Sequence, residues 1–156
     1  MNEPSPADAT APATPIARDE LLAALNELLE AERAGARVAM ETAREVADPA
    51  RLALVHDIHQ DEVRWCGLLM RLIKAMDAVP SSATGAFWGK AMAIADVGER
   101  LAFLNRGQAW VVRRLQALLP RIGDTAVRDE LATMLQAHQH NIARVEALPA
   151  GRSGAA

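Results

Sequence analysis

The sequence predicts an all-α fold, an antiparallel four-helix bundle, and three observations carry that reading. Aromatic residues make up only 3% of the chain and Tyr is absent, while Ala, Leu, Arg and Glu abound, which favours helix over strand. Apolar residues return every three or four positions through four separate stretches. Proline or glycine falls between those stretches, where helices end. At 156 residues the chain has the length of one domain, enough to bury a core without disulfide or metal staples.

Residues 1–15 are rich in Pro, Ala, Ser and Thr and show no periodicity, so they are expected to form a disordered tail. Residues 149–156 read as a second, flexible tail, leaving 16–148 for the bundle. The first helix is expected from about Ile16 to Val46, with Leu22, Leu25, Leu29, Glu32, Ala36, Ala39 and Ala43 on one stripe. Asp48-Pro49 ends it, because a residue before proline disfavours helical geometry. The second follows Pro49, its stripe being Leu52, Val55, His59, Glu62, Cys66, Leu69, Ile73 and Met76, and it stops before Val79-Pro80. Ser81, Ser82, Thr84 and Gly85 make a loop. One long third helix is expected from near Phe87 to Leu119, carrying Gly98, Leu101, Asn105, Gln108, Val112, Leu115 and Leu119, with Pro120 and Gly123 closing it. Asp124 or Thr125 caps the fourth, whose stripe is Leu131, Leu135, His138, Ile142 and Val145. Two topologies stay open, because the stretch from Asp77 to Phe87 reaches at most ~35 Å when extended: a short turn, or a crossover along the bundle.

Each stripe is interrupted by polar residues near its middle: Glu32; His59 and Glu62; Asn105 and Gln108; His138. Counted along the helices at ~1.5 Å per residue, Glu32 and Glu62 lie roughly 20–24 Å from the Asp48-Pro49 turn and Gln108 and His138 a similar distance from the Arg121–Gly123 turn, which puts the polar residues near a shared midplane. Buried carboxylates cost several kcal/mol unless paired or bound to a cation, and a common polar layer answers that cost.

Composition excludes several function classes. The net charge of −3, with arginines interleaved among acids, supplies no basic field for nucleic acid. No stretch approaches the roughly 18 apolar residues of a membrane span, the N-terminus has neither a basic start nor an apolar run, and Cys66 is alone, so a cytoplasmic protein is expected. There is no glycine-rich phosphate loop, no G-x-S-x-G elbow and no Cys-x-x-Cys pair.

The segments LNELLEAERAGARV, HDIHQDEVRWCGLL and ERLAFLNRGQAWVVRRL resemble the ferritin-like superfamily, and more closely an uncharacterised bacterial family of small ferritin-like proteins of unknown function. That resemblance covers most of the chain between the tails. It implies a ferritin-like bundle, often dimeric through a helix face, in which two helices each give a Glu and two each give a Glu-x-x-His to a di-iron or di-manganese centre. This chain departs from the motif. Trp65 stands three residues after Glu62 where a histidine is expected, Leu135 stands three before His138 where a glutamate is expected, and Asn105 or Gln108 replaces the third-helix glutamate.

Two readings follow. In one, Glu32, His59, Glu62 and His138 hold a transition metal, Fe or Mn in preference to Zn, for a redox, peroxide or storage task, with Asn105, Gln108 and Cys66 behind them. In the other the bundle holds no metal and serves as an interaction or regulatory module, the polar layer fixing helix register. Under the second reading Glu32 pairs with an arginine such as Arg64 or Arg106, and the histidines bond Glu62, Asn105 or Gln108 within the core. Cys66 then reads as a small core residue, Trp65, Trp88 and Trp110 as packing anchors, and Arg100, Arg106, Arg113 and Arg114 as a solvated face or an anion-binding one.

Overall fold

The computed structural model describes residues 13–149. Most of both expected tails, 1–12 and 150–156, lies outside the described residues; within them, residues 13–15 are exposed, yet the Thr14 carbonyl accepts a hydrogen bond from Arg121 at 3.0 Å. The described chain is all-helical, with helices α1 (Arg18–Ala43), α2 (Pro49–Ala75), α3 (Phe87–Met92), α4 (Val97–Leu118) and α5 (Thr125–Glu146) and a 3₁₀ turn at Leu119–Arg121.

Local chemistry explains the boundaries. Asp48 caps α2 by accepting from the Arg51 amide at 2.8 Å, with Pro49 at the first helical position, where its missing N–H has no cost. At the other end Asp77 takes φ 55°, and the amides of Asp77 and Ala78 donate to the carbonyls of Lys74 and Ile73, the bond pair of a Schellman stop. Asp124 caps α5 through the Val127 amide.

The expected third helix divides in two. Asp96 accepts from the Glu99 amide at 2.8 Å and starts a new helix at Val97, while α3 has already ended at Met92. The division decides the topology. From Met76, whose carbonyl accepts from Arg18 near the start of α1, the chain travels back beside α1: Ser81 meets Asn26 and Glu30, Arg33 reaches the carbonyls of Ser81 and Ala83, and Arg37 stacks on Trp88. It reaches the far end of α1, where Arg100 of α4 binds Glu45. The connection is thus a crossover, and residues 87–96 supply the length that the stretch from 77 to 87 alone lacked.

Each long helix packs on two others, α1 on α2 and α4, α5 on α4 and α2. All four pairs run antiparallel: Ile16 ahead of α1 meets Arg121 beyond α4, and Arg71–Glu130 with Arg144–Asp57 set α2 against α5. One apolar cluster centres on Leu25, Leu28, Leu29, Leu69, Leu115 and Leu131, another on Val38, Val55, Ile58, Leu101 and Leu104. The polar residues lie between them.

Every helix except α1 presents a face rotated from the expected stripe. In α2 the buried line is Val55, Ile58, Glu62, Trp65, Leu69 and Leu72, so Ile58 and Trp65 take the places assigned to His59 and Cys66. In α4 Leu104 replaces Asn105, and in α5 Met134 and Asn141 replace Leu135 and Ile142. Steps of three and four can be phased either way round Glu62. The phase that buries the larger apolar side chains wins, since each is worth roughly 1.5–3 kcal/mol when removed from water.

A buried acid and base cluster at the midplane

Four buried polar side chains, one from each long helix, line a single cavity of about 290 Å3: Glu32 of α1, Glu62 of α2, Gln108 of α4 and His138 of α5. Residues 84–87 of the crossover complete its wall. Glu32, Glu62, Gln108 and His138 thus sit together, as their common depth predicted.

His138 is fixed from both sides. Its Nδ1 lies 2.9 Å from the Met134 carbonyl, which can only accept, so that nitrogen carries a proton. Its Nε2 lies 2.8 Å from Oε1 of Glu32. Oxygen atoms beside both nitrogens favour the doubly protonated ring. Burial opposes that charge, but the Glu32 carboxylate, as charge and as acceptor, together with the Met134 carbonyl and Asp61, outweighs it and raises the pKa of His138. Glu32 therefore pairs with His138 and not with an arginine. Arg64 stacks over Trp65 and Arg106 over Phe103 instead.

Glu62 is 4% exposed and pairs with no cation among the described residues. Burial, then the negative charges of Glu32 and Asp61, push its carboxyl well above the usual carboxylate range, so it is held in the neutral form. Both oxygens of Glu32 and Oε2 of Glu62 lack an aligned hydrogen bond, the Glu32–His138 contact being a close charge pair. Room for Glu62 comes from Gly35. A Cβ there would meet Oε2 of Glu62 at 2.1 Å and its carboxyl carbon at 2.7 Å. Gly107 plays the same part for Phe87, whose ring a Cβ would meet at 2.8 Å. Neither glycine figured in the sequence expectations. The available signal was a glycine inside a helix, tolerated at ~1 kcal/mol against alanine when close approach requires it.

The remaining expected site residues are elsewhere. His59, half-buried, lines a separate surface cavity of about 260 Å3 with Met40, Ala43, Arg44, His56 and Gln60, because Ile58 takes the inward position. Asn105 lines another cavity, between α4 and α5, although its Oδ1 accepts from Gln108 at 3.4 Å. Cys66 is half-buried, and burial followed by the neighbouring acids Glu32 and Glu62 pushes its thiol up to about 12, which leaves it protonated and unreactive. Arg100 is buried against Glu45 and the Ile94 carbonyl, and Arg114 pairs with Glu27, so the α4 arginines do not form one open cationic face.

A two-metal centre does not fit this donor set. Trp65 is buried in the core at one missing ligand position and Leu135 packs against the same cluster at the other. Among the described residues no group of three or more His, Cys, Asp or Glu side chains is arranged to hold a metal ion. Likewise no helix among the described residues is long and apolar enough to cross a membrane.

A family model described as a domain of unknown function (DUF6306) matches residues 19–147, the whole helical array from the first turn of α1 to the end of α5. The chain belongs to the DUF6306 family. No curated protein and no solved structure matches it. The DUF6306 match spans all four residues of the cluster as well as Gly35 and Gly107.

Proposed function

We propose that this protein is a ferritin-like four-helix bundle whose midplane no longer serves a di-metal centre, and that it works as a small-molecule binding module through the cavity its buried acids line. The antiparallel neighbours and the long crossover between α2 and α4 support the ferritin-like assignment, with α3 as part of that crossover. The observation that carries the functional reading is the Glu32–His138 pair at 2.8 Å. It commits the cluster's one imidazole to a carboxylate, while the second imidazole and carboxylate of a Glu-x-x-His pair are replaced by Trp65 and Leu135. The acids are then neutralised within the protein, Glu32 by the imidazolium and Glu62 by a proton.

A second reading keeps one metal ion, favoured by the three carboxylate oxygens without aligned partners. Glu32, Glu62 and His138, which as they stand do not converge on one ion position, would have to shift to hold it, with the Gln108 amide beside them; an Fe or Mn ion would supply redox chemistry there. Elemental analysis of protein purified without a chelating tag decides between the two. The binding-module reading expects no stoichiometric transition metal and no change in thermal stability with EDTA. One equivalent of metal that disappears in Glu62→Ala and His138→Ala would replace it with the single-ion reading.

A further inference from the structure

The cavity's walls specify a ligand more narrowly. Four of its lining residues are glutamates, Glu27, Glu30, Glu32 and Glu62, none is lysine or arginine, and the one basic residue, His138, is already paired with Glu32. Acidic residues alone make no site. Here Glu32 and Glu62 are 2% and 4% exposed, line the cavity, and keep three carboxylate oxygens without an aligned donor. Buried acceptors in that state call for N–H or O–H donors, and a cation that donates to them takes the place of the Glu62 proton, which leaves to solvent. The other glutamates are engaged: Glu27 pairs with Arg114, and Glu30 accepts from the Ser81 hydroxyl at 2.5 Å. The unsatisfied positions are therefore the deep ones.

Apart from Thr84, Gln108 and His138 the rest of the wall is apolar, with Ala31, Leu104 and Val111 beside the rings of Phe87 and Trp110. Aromatic rings attract a cation through their faces, adding to the carboxylates. At about 290 Å3 the space equals the liquid volume of about ten waters, enough for a compact organic molecule and far more than a bare ion requires.

We propose that the cavity binds a small primary ammonium compound with an apolar body, its –NH₃⁺ group donating to the carboxylates of Glu62 and Glu32 and its body lying against Phe87 and Trp110. A primary ammonium supplies three donors and one positive charge. A quaternary ammonium brings the charge without donors, and a neutral alcohol brings a donor without charge. This inference rests on the metal-free reading above.

The test is calorimetric titration of the full chain with phenethylammonium chloride, set against 2-phenylethanol, phenethyltrimethylammonium and phenylacetate, with manganese and zinc chlorides as separate arms. The expected result is one site for the primary ammonium, at least tenfold tighter than any of the three analogues. Glu62→Gln keeps the shape of the acid but cannot give up a proton to meet the cation, and should weaken binding at least tenfold with the fold retained. Ala31→Met fills the cavity without touching a charge and should abolish it. Equal binding of alcohol and ammonium, undiminished binding by Glu62→Gln, or no primary-ammonium binding up to millimolar concentration would overturn the proposal. So would stoichiometric binding of manganese or zinc in its place. Absence of both metal and amine binding would sink the ligand class alone, whereas metal in the purified protein would sink the reading on which it rests.

Discussion

The apolar core around Leu25, Leu69, Leu115 and Leu131 and the cluster of Glu32, Glu62, Gln108 and His138 are built by the same four helices, about two turns apart, yet they hold together on different terms. In the first, each side chain contributes on its own and a truncation leaves a void. In the second, each group is tolerated because of a neighbour, so removing one partner charges its cost to the other. The contrast teaches where the molecule is specified and where it is merely packed: leucines can exchange with modest loss, whereas the polar cluster fixes which residue faces which.

The largest effect should come from breaking the pair. His138→Ala leaves Glu32 buried and unpaired, and a loss of ~3–5 kcal/mol in urea unfolding is expected. Adding Glu32→Leu to it should recover a large part, since apolar replacement of both partners is close to neutral; no recovery would show that the pair does more than cancel its own burial. Leu69→Ala, in the apolar region, should cost ~2–5 kcal/mol with no such rescue by a neighbouring change. Gly35→Ala comes next. The added methyl displaces the Glu62 carboxyl, and ~1–3 kcal/mol of destabilisation is expected from overpacking despite alanine's better helix propensity. If Glu62→Ala in the same chain relieves that loss, the glycine exists for the glutamate.

Smaller but more diagnostic is the pH dependence. Burial and neighbouring acids raise Glu62, and Glu32 with its companions raises His138 against burial, so folding takes up protons at both sites. A raised pKa contributes stability that is complete below the unfolded value, about 4.5 for Glu62 and 6.5 for His138, and is lost as pH climbs through the folded value. The melting temperature should therefore fall as pH rises from about 5 to 9. Glu62→Gln should flatten that slope and raise the midpoint at pH 8 by a few degrees, read by circular dichroism; an unchanged slope would contradict a neutral Glu62. The smallest effect belongs to the exposed Arg71–Glu130 pair at 3.3 Å, where Arg71→Ala should change stability by less than ~1 kcal/mol.

Much of this was legible in the sequence, and the gaps have physical causes. Pro49 marked a helix limit because proline constrains the backbone locally, whereas α2 stops at Ala75, ahead of Pro80, through the turn at Asp77; Glu32, Glu62 and His138 stood out because polar residues on apolar stripes are costly. His59 was misplaced because periodicity gives spacing but not phase; weighing the bulk of Ile58 and Trp65 against His59 and Cys66 would have turned the stripe. The break before α4 carried its own signal in Asp96 and Glu99, a cap with an acid three residues on, masked by the helical rhythm on either side. The proximity of Gly35 to Glu62 joins two helices, and no local pattern encodes it.

The crossover has a kinetic consequence. It makes α1–α2 and α4–α5 sequence-local hairpins, while Glu32 and His138 belong to different hairpins and meet only when these dock. Contacts between near neighbours form before those that must close a long loop. Each hairpin can thus collapse with its acids and its histidine still in water, at ordinary proton affinity, and the affinity changes at docking. In weakly buffered solution near neutral pH, the second stage of refolding should draw protons from an indicator dye while the first does not, so that the cluster times the joining of the two halves.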